Sequence, residues 1–179
     1  MSIIEIEARI PVVRAKGTNY EIGYAHGSQA QKQVNITLAN LKESTRNTIG
    51  YDWDVCIKIA SAFLPIVKKK VPAYLDEVQG IADGSGNSFE DIFTLNCRTE
   101  LGGQFARQYG VNMEAVRDII GGCSVMGITQ SRTATGTNLY CQNWDSNPSQ
   151  LPTLVFIIAR QTDKPAIAWA GEAGLLCRM

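Results

Sequence analysis

The chain has 179 residues, the size of one domain or a small pair. Its 17 Lys and Arg balance 17 Asp and Glu, so net charge gives no ground for a nucleic-acid or acidic-membrane partner. Apolar residues make up 45% and charged residues 19%, enough to fill a core and too little charge for a disordered chain, while the apolar run Val155 to Ala159 is far too short to span a bilayer.

Five cysteines, none in a C-x-x-C pair, exclude a complete disulfide framework by their odd number. With a single histidine, His26, the chain lacks the clustered Cys and His of a zinc site. The N-terminus has no basic start followed by an apolar stretch, so the expectation is an intracellular, cytoplasmic protein.

The loosely alternating Ile3 to Ile10 predicts a strand. Thr18 with Glu21 three residues on has capping-box form, and Val34, Leu38 and Leu41 continue at helical spacing, predicting one long helix from about Asn19 to Asn47. Gly23 and Gly27 share a face of it and invite the close approach of another backbone. Asp52 or Asp54 caps a second helix through Val55, Ile59, Phe63 and Val67, kinked at Pro65. A third starts at Pro72 and stops at Gly84-Ser85-Gly86; Ser88 with Asp91 opens a short fourth. A fifth is expected from Asn112 through Ile120, ended by Gly121-Gly122.

After Gly122 the texture becomes β. Cys123–Gln130 and Thr137–Trp144 read as one hairpin, Leu154–Arg160 and Ala166–Ala170 as another. The expectation is an α+β protein in two segments: a mostly helical 1–122, then 123–179 with strands beginning at Cys123.

The junction Gly121-Gly122-Cys123 carries the sharpest chemistry. Two glycines free the backbone for an unusual conformation and leave the Gly122 carbonyl open to the Cys123 sulfur. An N-to-S acyl shift there would cut the chain and make Cys123 a new N-terminus. Its α-amine, with an ordinary pKa of roughly 8, suits a general base for its own thiol. No histidine is needed. On spacing alone, a helix cap before a buried strand cysteine explains the same residues. Gln142-Asn143-Trp144-Asp145 would close the hairpin, bringing Asp145 to the Cys123 end, where it could hold an ammonium while Asn143 donates to an oxyanion. A plain Asn/Asp turn is the alternative. His26 reads as a packing or hydrogen-bonding residue, Arg98 and Glu100 as a polar pair, Lys68-Lys69-Lys70 as a solvated helix end, and Cys56, Cys97, Cys141 and Cys177 as buried small apolar residues.

Taken with their flanks, these residues resemble the isopenicillin N acyltransferase (acyl-coenzyme A:6-aminopenicillanate acyltransferase) family, self-cleaving cysteine N-terminal-nucleophile hydrolases. The resemblance lies in residues 17–28 (GTNYEIGYAHGS), 95–100 (LNCRTE), the Gly122-Cys123 junction, 142–145 (QNWD) and, more loosely, 172–176 (EAGLL). It implies Cys123 as nucleophile, scission after Gly122, Asp145 beside the nucleophile, and residues 1–122 and 123 onward as the small and large chains of a processed heterodimer. The fold implied is the αββα sandwich, truncated here, since family members are about twice this length and supply further catalytic residues from a second half. The reaction class implied is acyl transfer from a thioester or amide to an amine or water. No cofactor is expected, acyl-coenzyme A entering only as a co-substrate; the partners are a small acyl donor and an amine acceptor. The family's aspartate before the glycine is here Gly121. Two other readings stand beside this one: other N-acyl or β-alanyl amides as substrates, and a truncated, catalytically inactive relative serving as an interaction or vestigial protein. The terminal Cys177-Arg178-Met179 loosely resembles a peroxisomal tail, a second candidate compartment.

Overall fold

A computed structural model describes residues 10–101, 122–145 and 148–176. The strand expected at Ile3 to Ile10 and the helix expected from Asn112 lie almost wholly or wholly outside these residues. The first described strand is β1, Val12–Gly17. Six helices follow: α1 Asn19–Gln29, α2 Gln31–Ile49, α3 Trp53–Ser61, α4 Leu64–Lys70, α5 Pro72–Ser85 and α6 Phe89–Asn96. Then come β2 Gly122–Ile128, β3 Leu139–Asp145, β4 Leu154–Gln161 and β5 Ile167–Glu172.

The capping box is present in full: Glu21 N donates to the Thr18 hydroxyl, and Thr18 N donates to the Glu21 carboxylate at 2.8 Å. The single long helix expected to Asn47 is two helices, broken at Ala30 (φ −119°, ψ 26°). The break follows from what each half must touch. Gln29, the last residue of α1, is tied to the edge of β1, exchanging hydrogen bonds with the Arg14 backbone at 2.9 and 3.0 Å. Helix α2 meanwhile turns Val34, Leu38 and Leu41 into the core. Pro65 likewise starts a new helix instead of kinking one, because its missing N–H costs nothing in a first turn. The expected start at Pro72, the Gly86 stop and the Ser88 cap are as the sequence indicates.

Helices α1 and α5 meet backbone to backbone. A Cβ built on Gly23 would lie 2.1 Å from the Glu77 carbonyl oxygen, and one on Gly27 would lie 2.3 Å from that of Ile81. The contact is reciprocal: Cβ atoms on Gly80 and Gly84 would reach the Tyr20 and Tyr24 carbonyl oxygens at 2.2 and 2.4 Å. Two glycine pairs four residues apart have thus let two helices pack with no side chain between them.

The main sheet has the order β1-β4-β5. β1 runs parallel to β4, with Val13 opposite Ile157 and Ala15 opposite Ala159; β5 is antiparallel to β4, with Trp169 opposite Ile157. One face, formed by Val13, Ala15, Val155, Ile157, Ala159 and Trp169, is buried against Ile22, Val34, Val78, Ile81 and Ile92 of the helices. This sheet draws β1 from before residue 122 and β4 and β5 from after it, so both expected segments share one core. β2 and β3 form a separate antiparallel hairpin whose side chains are mostly exposed. The described chain is therefore α+β with two small sheets.

Candidate functional site

Cys123 is exposed, one residue into β2, directly opposite Trp144. Asp145 is opposite Gly122 and Asn143 opposite Ser124. Directly opposed residues in an antiparallel pair project to the same face, and neighbours along a strand alternate. The Cys123 and Trp144 side chains therefore share one face, while Asn143 and Asp145 share the other, where the Asn143 amide donates to Asp145 Oδ1 at 2.9 Å. The hairpin brings Asp145 to the Cys123 end of the sheet and joins it to Asn143. It does not bring either side chain onto the face of the Cys123 thiol.

The other cysteines divide differently from expectation. Cys56 and Cys97 are buried, and burial raises both thiols, with the Glu100 charge adding to the shift that carries Cys97 to about 11. In both, burial disfavours the thiolate, the nucleophilic form. Cys141, expected to be buried, is exposed, because it lies on the hairpin rather than under the main sheet. Cys177 is outside the described residues.

Sequence reasoning missed a second cluster. Gly174 (φ +89°) turns the chain after β5, and two other segments that carry the resemblance, 17–28 and 95–100, grip that turn. Gly174 N donates to His26 Nε2 at 3.0 Å, Asn96 Nδ2 donates to the Gly174 carbonyl at 2.8 Å, and Leu176 N donates to Asn96 Oδ1 at 2.9 Å. Arg98 Nη1 meets Glu172 Oε1 at 2.7 Å, so the expected Arg98–Glu100 pair gives way to a longer-range one. The only advance signal was that these residues recur within the same short segments; which of them touch is set by the return of β5 alongside β4.

His26 is 2% exposed, and burial lowers its pKa from 6.5 to about 4. Accepting a hydrogen bond at Nε2 also requires the neutral ring. The folded pKa lies below the unfolded one, so the stabilisation from neutral His26 is complete above pH 6.5. It is lost as the pH falls to about 4, a total of about 3 kcal/mol. Unfolding free energies of the wild type and His26→Gln, measured from pH 7 to 4, should show a steeper fall in the wild type; equal slopes would contradict the buried neutral imidazole.

A cleft of about 510 Å³ opens between α4, α5, α6 and the turn after β5. Its walls are mainly apolar, including Phe63, Val67, Leu75, Phe93 and Leu176, with Asn96, Cys97 and Arg98 contributing a more polar stretch. Among the described residues no group of three or more His, Cys, Asp or Glu is arranged to hold a metal ion, and no helix is long and apolar enough to cross a membrane.

No protein-family model matches the sequence. Over 168 residues, 92% of its length, the chain is 30% identical to the 40 kDa form of acyl-coenzyme A:6-aminopenicillanic-acid-acyltransferase of Emericella nidulans. It spans 42% of that relative's length. The chain is thus a distant relative of a curated acyltransferase, resembling it across nearly all of its own residues.

Proposed function

We propose that this chain carries the self-processing nucleophile segment of a cysteine N-terminal-nucleophile acyltransferase or amidohydrolase, within an αββα sandwich. The observation that carries the reading is the 30% identity over 92% of the chain to an acyltransferase. It is supported by the exposed Cys123 at the start of β2, immediately after Gly122.

In the first step the Cys123 sulfur adds to the Gly122 carbonyl carbon. The C–N bond breaks as the peptide nitrogen takes up a proton, leaving Gly122 as a thioester on Cys123. Water then hydrolyses that thioester to a Gly122 carboxylate and a free thiol, and the former peptide nitrogen is the α-amine of Cys123. This amine takes the thiol proton when the sulfur attacks an acyl donor. A thioester donor loses its thiol and an amide donor its amine, and an amine acceptor or water then removes the acyl group from sulfur. Asp145, opposite residue 122, is one residue along from the new ammonium and favours its retention at the strand end. The Asn143 amide, now bonded to Asp145, would have to turn away to serve an oxyanion. The two segments stay together after scission because β1 remains paired with β4. The substrate class is a small acyl donor, acyl-coenzyme A being one such donor by the relative's name, with an amine of the 6-aminopenicillanate kind or water as acceptor.

Intact-mass spectrometry after long incubation at neutral pH tests the reading. Segments 1–122 and 123–179 are expected from the wild type, and only the uncut mass from Cys123→Ala. A wild type that stays whole would remove the claim that this chain processes itself, and would favour the reading as a non-catalytic relative.

A further inference from the structure

We infer that the cleft between α4, α5 and α6 binds a small amine with an apolar body, at a site separate from Cys123. Large apolar side chains are ordinarily turned inward, yet Ile66, Val71 and Tyr74, exposed by 57%, 38% and 49%, all border this one cleft. At about 510 Å³ the space falls within the range of small-molecule sites. The apolar walls call for an apolar body, and the charge among the lining residues decides the head.

Two lining residues, Arg98 and Glu100, carry full charge at neutral pH. Arg98 is already matched, its guanidinium standing 2.7 Å from the Glu172 carboxylate. Glu100, its expected partner, is left exposed and makes no ion pair among the described residues. Its charge is felt within the lining, where it helps burial to raise the thiol of Cys97. The cleft therefore carries one unmatched negative charge, which favours an ammonium head and opposes a carboxylate. Three of the walls are aromatic, Phe63, Tyr74 and Phe93, and ring faces attract an ammonium as well. An acceptor of the 6-aminopenicillanate kind carries a carboxylate beside its amine and is disfavoured here. Cys123 is not among the lining residues, so the inference stands apart from self-processing.

Titration calorimetry of the full chain at neutral pH and low salt tests the inference with 4-phenylbutylamine, 4-phenylbutanol and 4-phenylbutyrate, which share one apolar body. The amine should bind about fivefold more tightly than the alcohol, the gain of a solvent-exposed ion pair, and the carboxylate more weakly than either. Glu100→Gln, at an exposed position, should bring the amine to the affinity of the alcohol and leave the alcohol unchanged. Added salt should erase the same preference in the wild type. Ile66→Lys, also exposed, should weaken the amine and spare the carboxylate, and it carries the test should Glu100→Gln fail to fold. Three probes binding alike, a carboxylate that binds best, no binding at all, or a preference that survives Glu100→Gln would each overturn the inference. So would displacement of the amine by 6-aminopenicillanate, which would make the cleft the acceptor site of the proposed transfer.

Discussion

Gly23→Ala should destabilise the protein by about 3 kcal/mol, although alanine is the better helix former by about 1 kcal/mol. The added methyl would stand 2.1 Å from the Glu77 carbonyl oxygen, 2.9 Å from its carbon and 3.0 Å from Ile81 N. All three obstacles are backbone atoms of α5, which cannot rotate aside as a side chain can. Relief requires the helices to separate, opening the contact at Gly27, Gly80 and Gly84 as well. Because one separation serves all four positions, Gly23→Ala combined with Gly80→Ala should cost much less than the sum of the two. Gly127→Ala, where nothing lies within 4 Å, is the control and should be nearly neutral. Urea midpoints of the wild type, the two single variants, their double and Gly127→Ala decide the matter; a Gly23→Ala midpoint at or above that of the wild type would mean that α1 and α5 do not meet through their backbones.

The second large effect is expected at the Arg98–Glu172 pair. The Glu172 side chain is 3% exposed and that of Arg98 25% exposed, so removing the arginine leaves a carboxylate held away from water without its cation. Arg98→Met should cost about 3 kcal/mol, the low end for a buried pair because the guanidinium keeps some solvent. Adding Glu172→Gln should recover part of that loss, since the stranded charge is then gone. Glu172 precedes the Gly174 turn, so amide exchange at Gly174 and Leu176 should also accelerate in Arg98→Met. A change below about 0.5 kcal/mol, with exchange unaltered, would reduce the pair to a surface contact.

Helix ends were the part of the fold most legible in the sequence. Thr18 with Glu21, Ser88 with Asp91, Pro72 and Gly86 each satisfy or terminate backbone groups within a few residues, so the chemistry that sets them is local. The hairpins were legible because their strands are consecutive in sequence, joined through residues 129–138 and 162–166. The helix break at Ala30 was not, because alanine is a good helix former and the cause lies in Gln29 holding β1 while α2 turns toward other partners. Cys141 illustrates the corresponding difficulty in β structure: alternation tells which residues share a face, but not which face is covered.

What the sequence by itself determined was the α-then-β order, most helix ends, the backbone-contact role of Gly23 and Gly27, and the place of Cys123 at the start of a strand. Only the tertiary structure decided that β1 pairs in parallel with β4, a contact between residues about 140 apart along the chain. It also decided that Arg98 finds Glu172 instead of Glu100, that His26 is a neutral acceptor for the Gly174 amide, and that the Asn143 and Asp145 side chains face away from that of Cys123. The division has one physical cause. Caps, turns and periodicity are set by neighbours in sequence, whereas pairing, burial and the facing of a strand depend on which distant surface excludes water from it.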